Sequence, residues 1–165
     1  MRNRPVNLKH TVAAIGPLLL LSGMALADVP PPELFDKLRD AEPAEAKRIE
    51  GEMSRIWSRS GSASMDLLLK RGREAMEAGD NRLAIEHLTA LTDHAPDFAE
   101  GFHTRARAYF RSDLYGPALA DLERTLALNQ QQYEAIFGFA VMVQEFGDLR
   151  RAAELDRRVL AIHPN

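Results

Sequence analysis

The chain contains no cysteine. That excludes disulfides, thiolate nucleophiles and cysteine-ligated zinc. It holds one tryptophan, Trp57. Positive charge is not in excess either: 21 Lys and Arg stand against 24 Asp and Glu, for a net charge of −3. A chain without a basic surplus lacks the electrostatic footprint that nucleic-acid binding needs. Long apolar runs are also missing. The most marked one, residues 12–21, is ten residues long, where a membrane-spanning helix takes roughly twenty. The motifs of common chemistries are absent as well. There is no Gly-x-Ser-x-Gly elbow, no phosphate-binding glycine loop, no dinucleotide fingerprint and no HExxH. Gly61-Ser62 reads as a turn. His87 and His94 share one segment and His103 and His163 lie in two others, with no metal-ligand spacing among them. No catalytic residue, metal site or cofactor is therefore expected.

The N-terminus has its own logic. Arg2, Arg4 and Lys9 precede the apolar run, and Ala25-Leu26-Ala27 closes it off. A basic start, a short apolar core and a small-x-small end describe a secretory signal peptide over residues 1–27. The alternative is an uncleaved anchor helix. Cleavage removes three bases and no acid, so it leaves 138 residues with a net charge of −6. The mature chain is expected in the bacterial periplasm or outside the cell, with no membrane span of its own.

Residues 28–64 read as a proline-rich spacer and then capping helices. Pro30, Pro31 and Pro32 favour an extended lead-in. Leu34, Phe35 and Leu38 then make a short amphipathic turn or two, broken before Pro43. Residues 43–57 form a better helix, opened by proline at its first position and striped by Ile49, Met53, Ile56 and Trp57. Trp57 is expected to pack this helix onto the first repeat of the C-terminal region; the other reading puts it on a partner-binding surface.

From residue 67 onward the sequence is periodic. Gly72, Ala106 and Ala140 stand 34 residues apart, as do Ala84, Ala118 and Ala152. Leu68, Phe102 and Ile136 fall on the same grid, as do Gly79, Asp113 and Gly147. Pro96 and Pro164 lie 68 apart with Gln130 midway. Such a period, with small residues at two fixed slots, signals stacked helix–turn–helix units. The helices are expected over 65–78 and 81–94, 102–112 and 117–128, and 135–146 and 149–162. The glycines suit the left-handed residue that ends a helix, and Asp80 and Asp148 suit the caps that begin the next.

These positions resemble the tetratricopeptide repeat family across residues 67–165. The resemblance implies an all-α solenoid of three repeats, at about 67–100, 101–134 and 135–165, within a unit of 65–165. The small residues let paired helices approach closely. Arg71 and Arg105 depart from the aliphatic residue usual before the small one, and are expected to bury their stems and keep their heads in water. Asp156 replaces the leucines at 88 and 122, as suits a terminal repeat with a polar outer face. Yet Val159, Leu160 and Ile162 come directly after it. They are expected to form an apolar patch covered by a second copy or a partner.

In this family the first helix of each repeat lines a concave groove. The resemblance places Leu69, Arg73, Met76 and Glu77 there from repeat one. It adds His103, Arg107, Phe110 and Arg111 from repeat two, and Phe137, Val141, Gln144 and Glu145 from repeat three. Arg73 and Arg107 are 34 apart and would stack into a basic strip beside apolar residues. Such a strip suits a peptide that is acidic or has a free C-terminus, although it does not reproduce the Lys/Asn carboxylate clamp of chaperone-binding members. The expected function is a non-enzymatic protein–protein interaction module, an adaptor or assembly factor. The alternatives are a cell-wall factor recognising peptidoglycan-linked peptide, and a homo-oligomer formed through Val159, Leu160 and Ile162.

Overall fold

A computed structural model of the chain describes residues 29–164. The expected targeting segment lies outside the described residues. Eight α-helices succeed one another: α1 (Pro32–Asp40), α2 (Pro43–Trp57), α3 (Ala63–Glu77), α4 (Asn81–His94), α5 (Ala99–Phe110), α6 (Tyr115–Leu128), α7 (Tyr133–Glu145) and α8 (Leu149–Ile162). Among the described residues there is no strand. The helices pair as α3 with α4, α5 with α6 and α7 with α8, and each pair stacks on the next. This is an all-α solenoid. None of the described helices is long and apolar enough to cross a membrane.

Local chemistry sets the breaks between helices. Pro32 and Pro43 open α1 and α2, where a missing N–H costs nothing. Pro31 is extended, at φ −62° and ψ 146°, but Pro30 is buried, so this stretch packs on the fold. Gly79 and Gly147 end their helices at φ +80° and +85°, a conformation open to residues without a Cβ. Asp113 holds the same turn at φ 57°, and its carboxylate accepts a hydrogen bond from the Tyr115 hydroxyl at 2.7 Å. Aspartate is among the few other residues that tolerate this region. Asp80 accepts from the Leu83 N–H at 2.9 Å and Asp148 from the Arg151 N–H at 3.0 Å, which caps α4 and α8.

The periodic small residues sit where the helices touch. Ala84 and Ala118 are fully buried. A Cβ on Gly72 would come within 2.6 Å of Leu88 Cγ, so even a methyl group there displaces a packed leucine. Arg71 is exposed, as expected, but the expectation for Arg105 is corrected. Its guanidinium is bidentate to the buried Asp121, at 2.7 and 2.9 Å, and donates to Thr92 Oγ1 at 2.6 Å. It also lies 5.5 Å from the Phe102 ring centroid. A carboxylate on the facing helix draws the charged head inward.

The N-terminal hairpin α1–α2 brings a second correction. Trp57 is buried, as a core residue should be. Its neighbours, however, are Phe35, with ring centroids 6.4 Å apart, and Tyr133 of the third repeat, at 5.6 Å. Leu34, Leu38, Ile49 and Met53 complete this cluster, and Ile162 packs against it from the end of α8. His163 Nε2 lies 2.8 Å from Glu50 Oε1, and Arg39 donates to the carbonyl of Ala161 at 3.3 Å. The N-terminal hairpin thus reaches past the first repeat and seats on the last. The expected C-terminal apolar patch is largely covered by the chain itself. Ile162 meets the hairpin, Val159 packs on the α7–α8 core, and only Leu160 stays open, at 58% exposure.

This junction holds buried polar atoms with no hydrogen-bond partner: Trp57 Nε1, Tyr133 Oη and His163 Nδ1. A buried group of that kind costs about 1–3 kcal/mol. Tyr133→Phe removes one of them and keeps the ring. It is expected to raise the free energy of urea unfolding by about 1 kcal/mol; a loss of stability would show that the hydroxyl has a partner.

Candidate partner-binding site

Four of the side chains expected in the groove are drawn inward, Arg73 and His103 by one carboxylate and Leu69 and Met76 by the core. Glu100, in the first turn of α5, is 5% exposed. It accepts hydrogen bonds from Arg73 on α3, from Thr104 Oγ1 at 3.1 Å and from Gln132 Nε2. His103 Nδ1 lies 3.2 Å away. Burial pushes the Glu100 carboxyl up, but the charges and hydrogen bonds of His103 and Arg73 outweigh it and bring the group from the ordinary 4.5 down to about 2. Arg73 also donates to Ser58 Oγ at 2.9 Å. It therefore does not stack with Arg107, and the basic strip is shorter than expected. Leu69 and Met76 are core residues, 2% and 5% exposed, packed with Leu88 and Leu91. His103 is 3% exposed. Glu77 and Gln144 are exposed but line no cleft.

The remaining expected residues do converge. Arg107, Phe110 and Arg111 of α5 and Phe137 and Val141 of α7 line a cleft of about 660 Å³. Phe110 is 40% exposed and Phe137 56% exposed, an arrangement that a monomer core would not leave. The guanidinium of Arg111 is held at the rim by the carbonyl of Met76, at 3.2 Å. His103, Tyr133 and His163 lie at the closed end, beside the α1–α2 hairpin, and Leu160 of α8 adds to the wall. A smaller recess adjoins the cleft, sharing Phe110, Val141 and Met142, and there Phe110, Tyr115 and Phe146 meet edge-on at 5.6 and 6.2 Å.

Sequence reasoning missed Glu100, Gln132, Tyr133, Glu134 and His163. The first helices of the repeats start two or three residues ahead of their apolar pattern, at Ala63, Ala99 and Tyr133. Those first turns carry polar work that a hydrophobic period does not register. His103 faces Glu100 and Gln132, and His163 faces Glu50. Among the described residues, no group of three or more His, Asp or Glu is placed to hold a metal ion.

No protein-family model matches the chain. A TPR repeat-containing protein of Rhizobium etli is 29% identical over 133 residues, or 80% of this chain; the chain spans 65% of that relative's length. The first TPR of Spaghetti (RPAP3) bound to HSP90 peptide SRMEEVD has a TM-score of 0.61 at 27% identity, over 63% of this chain and 82% of that one. MamA has a TM-score of 0.58 at 23% identity, over 75% of this chain and 76% of its own, a likeness of fold.

The linkage of Glu100 is testable. A carboxyl whose pKa falls on folding adds stability that is complete above its unfolded value and is lost as pH falls through the folded one. The unfolding free energy is expected to drop as pH is lowered from 4.5 towards 2, and Glu100→Gln to flatten that slope. At neutral pH, Arg73→Ala is expected to cost about 3 kcal/mol, because it strands a buried charge. An acid slope that Glu100→Gln leaves unchanged would contradict the assignment.

Proposed function

We propose that the chain is a tetratricopeptide repeat protein that acts as a non-enzymatic adaptor or assembly factor of the bacterial periplasm, a reading supported by its likeness to a TPR repeat-containing protein and to TPR domains of known structure. Its cleft between α5 and α7 receives a peptide or a partner helix. The observation that carries this reading is the pair of open rings, Phe110 of α5 and Phe137 of α7, that line one cleft together with Arg107. Aromatic anchors in a recess with an arginine beside them are the usual makings of a binding hot spot. The Spaghetti TPR domain is bound to an HSP90 peptide in its structure, and a peptide occupant is proposed here by analogy. The periplasmic address rests on the basic start, short apolar run and Ala25-Leu26-Ala27 of the N-terminus.

A photo-crosslinking residue in place of Phe110, activated in cells that are then fractionated, tests both parts. The expected outcome is one dominant adduct with another protein, found in the periplasmic fraction and lost when Arg107→Glu is added, with helicity unchanged. Crosslinks only to itself, or an adduct that survives Arg107→Glu, would contradict the cleft. Full-length chain confined to the cytoplasm would contradict the address.

A further inference from the structure

The smaller recess differs in chemistry from the cleft it adjoins. Phe110 at the end of α5, Tyr115 at the start of α6 and Phe146 directly after α7 line it, together with Val141, Met142 and Glu145. It encloses about 340 Å³, and no lysine, arginine or histidine is among its lining residues. All three rings are exposed. Phe110 and Tyr115 stand at 67° to one another, and Tyr115 and Phe146 at 82°. Two edge-on contacts leave most of the faces of three rings free of ring neighbours, and the face is the negative side of the aromatic quadrupole. The charge around the recess is negative as well. Glu145 is exposed in its wall. Asp113 accepts the hydrogen bond of the Tyr115 hydroxyl at 2.7 Å. Chiefly that bond and the Asp113 charge, and in lesser part the Glu145 charge, push the Tyr115 phenol above its ordinary value. Arg111, next to Phe110 in the chain, gives its guanidinium to the carbonyl of Met76 at 3.2 Å. Among the described residues, the chain's own arginines stand over Phe102, Tyr109 and Phe139, none of them a ring of the recess. We propose that this recess binds a quaternary ammonium group, the trimethylammonium head of a choline-type molecule.

The competing occupants fit less well. An anion meets ring faces and the Glu145 carboxylate, which both repel it. A neutral apolar group gains the rings but leaves that carboxylate against hydrocarbon. A primary ammonium brings three N–H donors and a guanidinium five, while the polar side-chain atoms of the lining are those of Glu145 and a Tyr115 hydroxyl already engaged with Asp113. A quaternary ammonium has no N–H to satisfy. Its charge is spread over methyl groups that pack on aromatic faces, the arrangement in which a cation gains most from such rings. Tyr115, Glu145 and Phe146 line the smaller recess and not the larger cleft, so the two are tested apart.

Choline is the probe, and its neutral isostere, with a tert-butyl group in place of trimethylammonium, is the control for shape. An NMR titration of the isotope-labelled full chain is expected to give saturable shifts from choline at Phe110, Tyr115 and Phe146, with the isostere binding about ten-fold more weakly. Phe146→Leu, at an exposed position, is expected to weaken choline binding about ten-fold with helicity unchanged, and Glu145→Gln to weaken it as well. Cosedimentation separates the two sources of such a head. Binding to phosphatidylcholine vesicles but not to phosphatidylglycerol vesicles assigns a lipid headgroup, and binding of free choline alone assigns a soluble molecule. An isostere that binds as well as choline, or choline binding that Phe146→Leu leaves unchanged, would overturn the cation site. So would a chain that binds neither choline nor phosphatidylcholine vesicles.

Discussion

One buried carboxylate holds the three repeats in register. Glu100 belongs to α5, but its partners come from α3, through Arg73, and from the turn before α7, through Gln132. A solenoid is held by nearest-neighbour contacts, and here a single ionised group touches all three units. An unpaired buried charge is expensive, so Glu100 tolerates few relative positions of its donors. That constraint also has a functional consequence. It takes Arg73 out of the cleft and holds His103, which is almost fully buried, in the cleft wall.

The N-terminal hairpin sets the other limit. α1–α2 carries most of its apolar residues to Tyr133 and Ile162 instead of leaving them to a further repeat. In doing so it covers the end of α8 and borders the cleft at Tyr133 and His163. The open part of the concave face is therefore confined to the second and third repeats, where Phe110 and Phe137 remain in contact with water. Arg105 and Asp121 stiffen one wall from behind. The exposed arginines of that wall, Arg107 and Arg111, both line the cleft.

Features that recur were legible in the sequence. The 34-residue grid of small residues placed the paired helices, and turn chemistry placed Gly79, Gly147, Asp80 and Asp148 where they act. Arg107, Phe110, Arg111, Phe137 and Val141 line the cleft because a helix face is set by its period. Features that occur once were not legible. Glu100 has acidic counterparts on the grid, Asp66 and Glu134, yet neither is buried; what the pattern does not show is the contact of Glu100 with Gln132, which joins residues 32 apart through side chains. The Glu50–His163 contact spans 113 residues. Leu69 and Met76 are apolar and at groove positions, and nothing local distinguishes a groove residue from one that a neighbouring helix covers.

The extent of the cleft depends on the hairpin seating on the third repeat, since that contact closes one end of it. The chain has no cysteine, so spin labels can be attached at Lys47→Cys on α2 and Arg158→Cys on α8, both exposed positions. Pulsed electron–electron resonance between them measures the contact directly. A single narrow distance distribution in solution is predicted. A broad distribution, or one centred at the separation of a hairpin stacked on the first repeat alone, would contradict it.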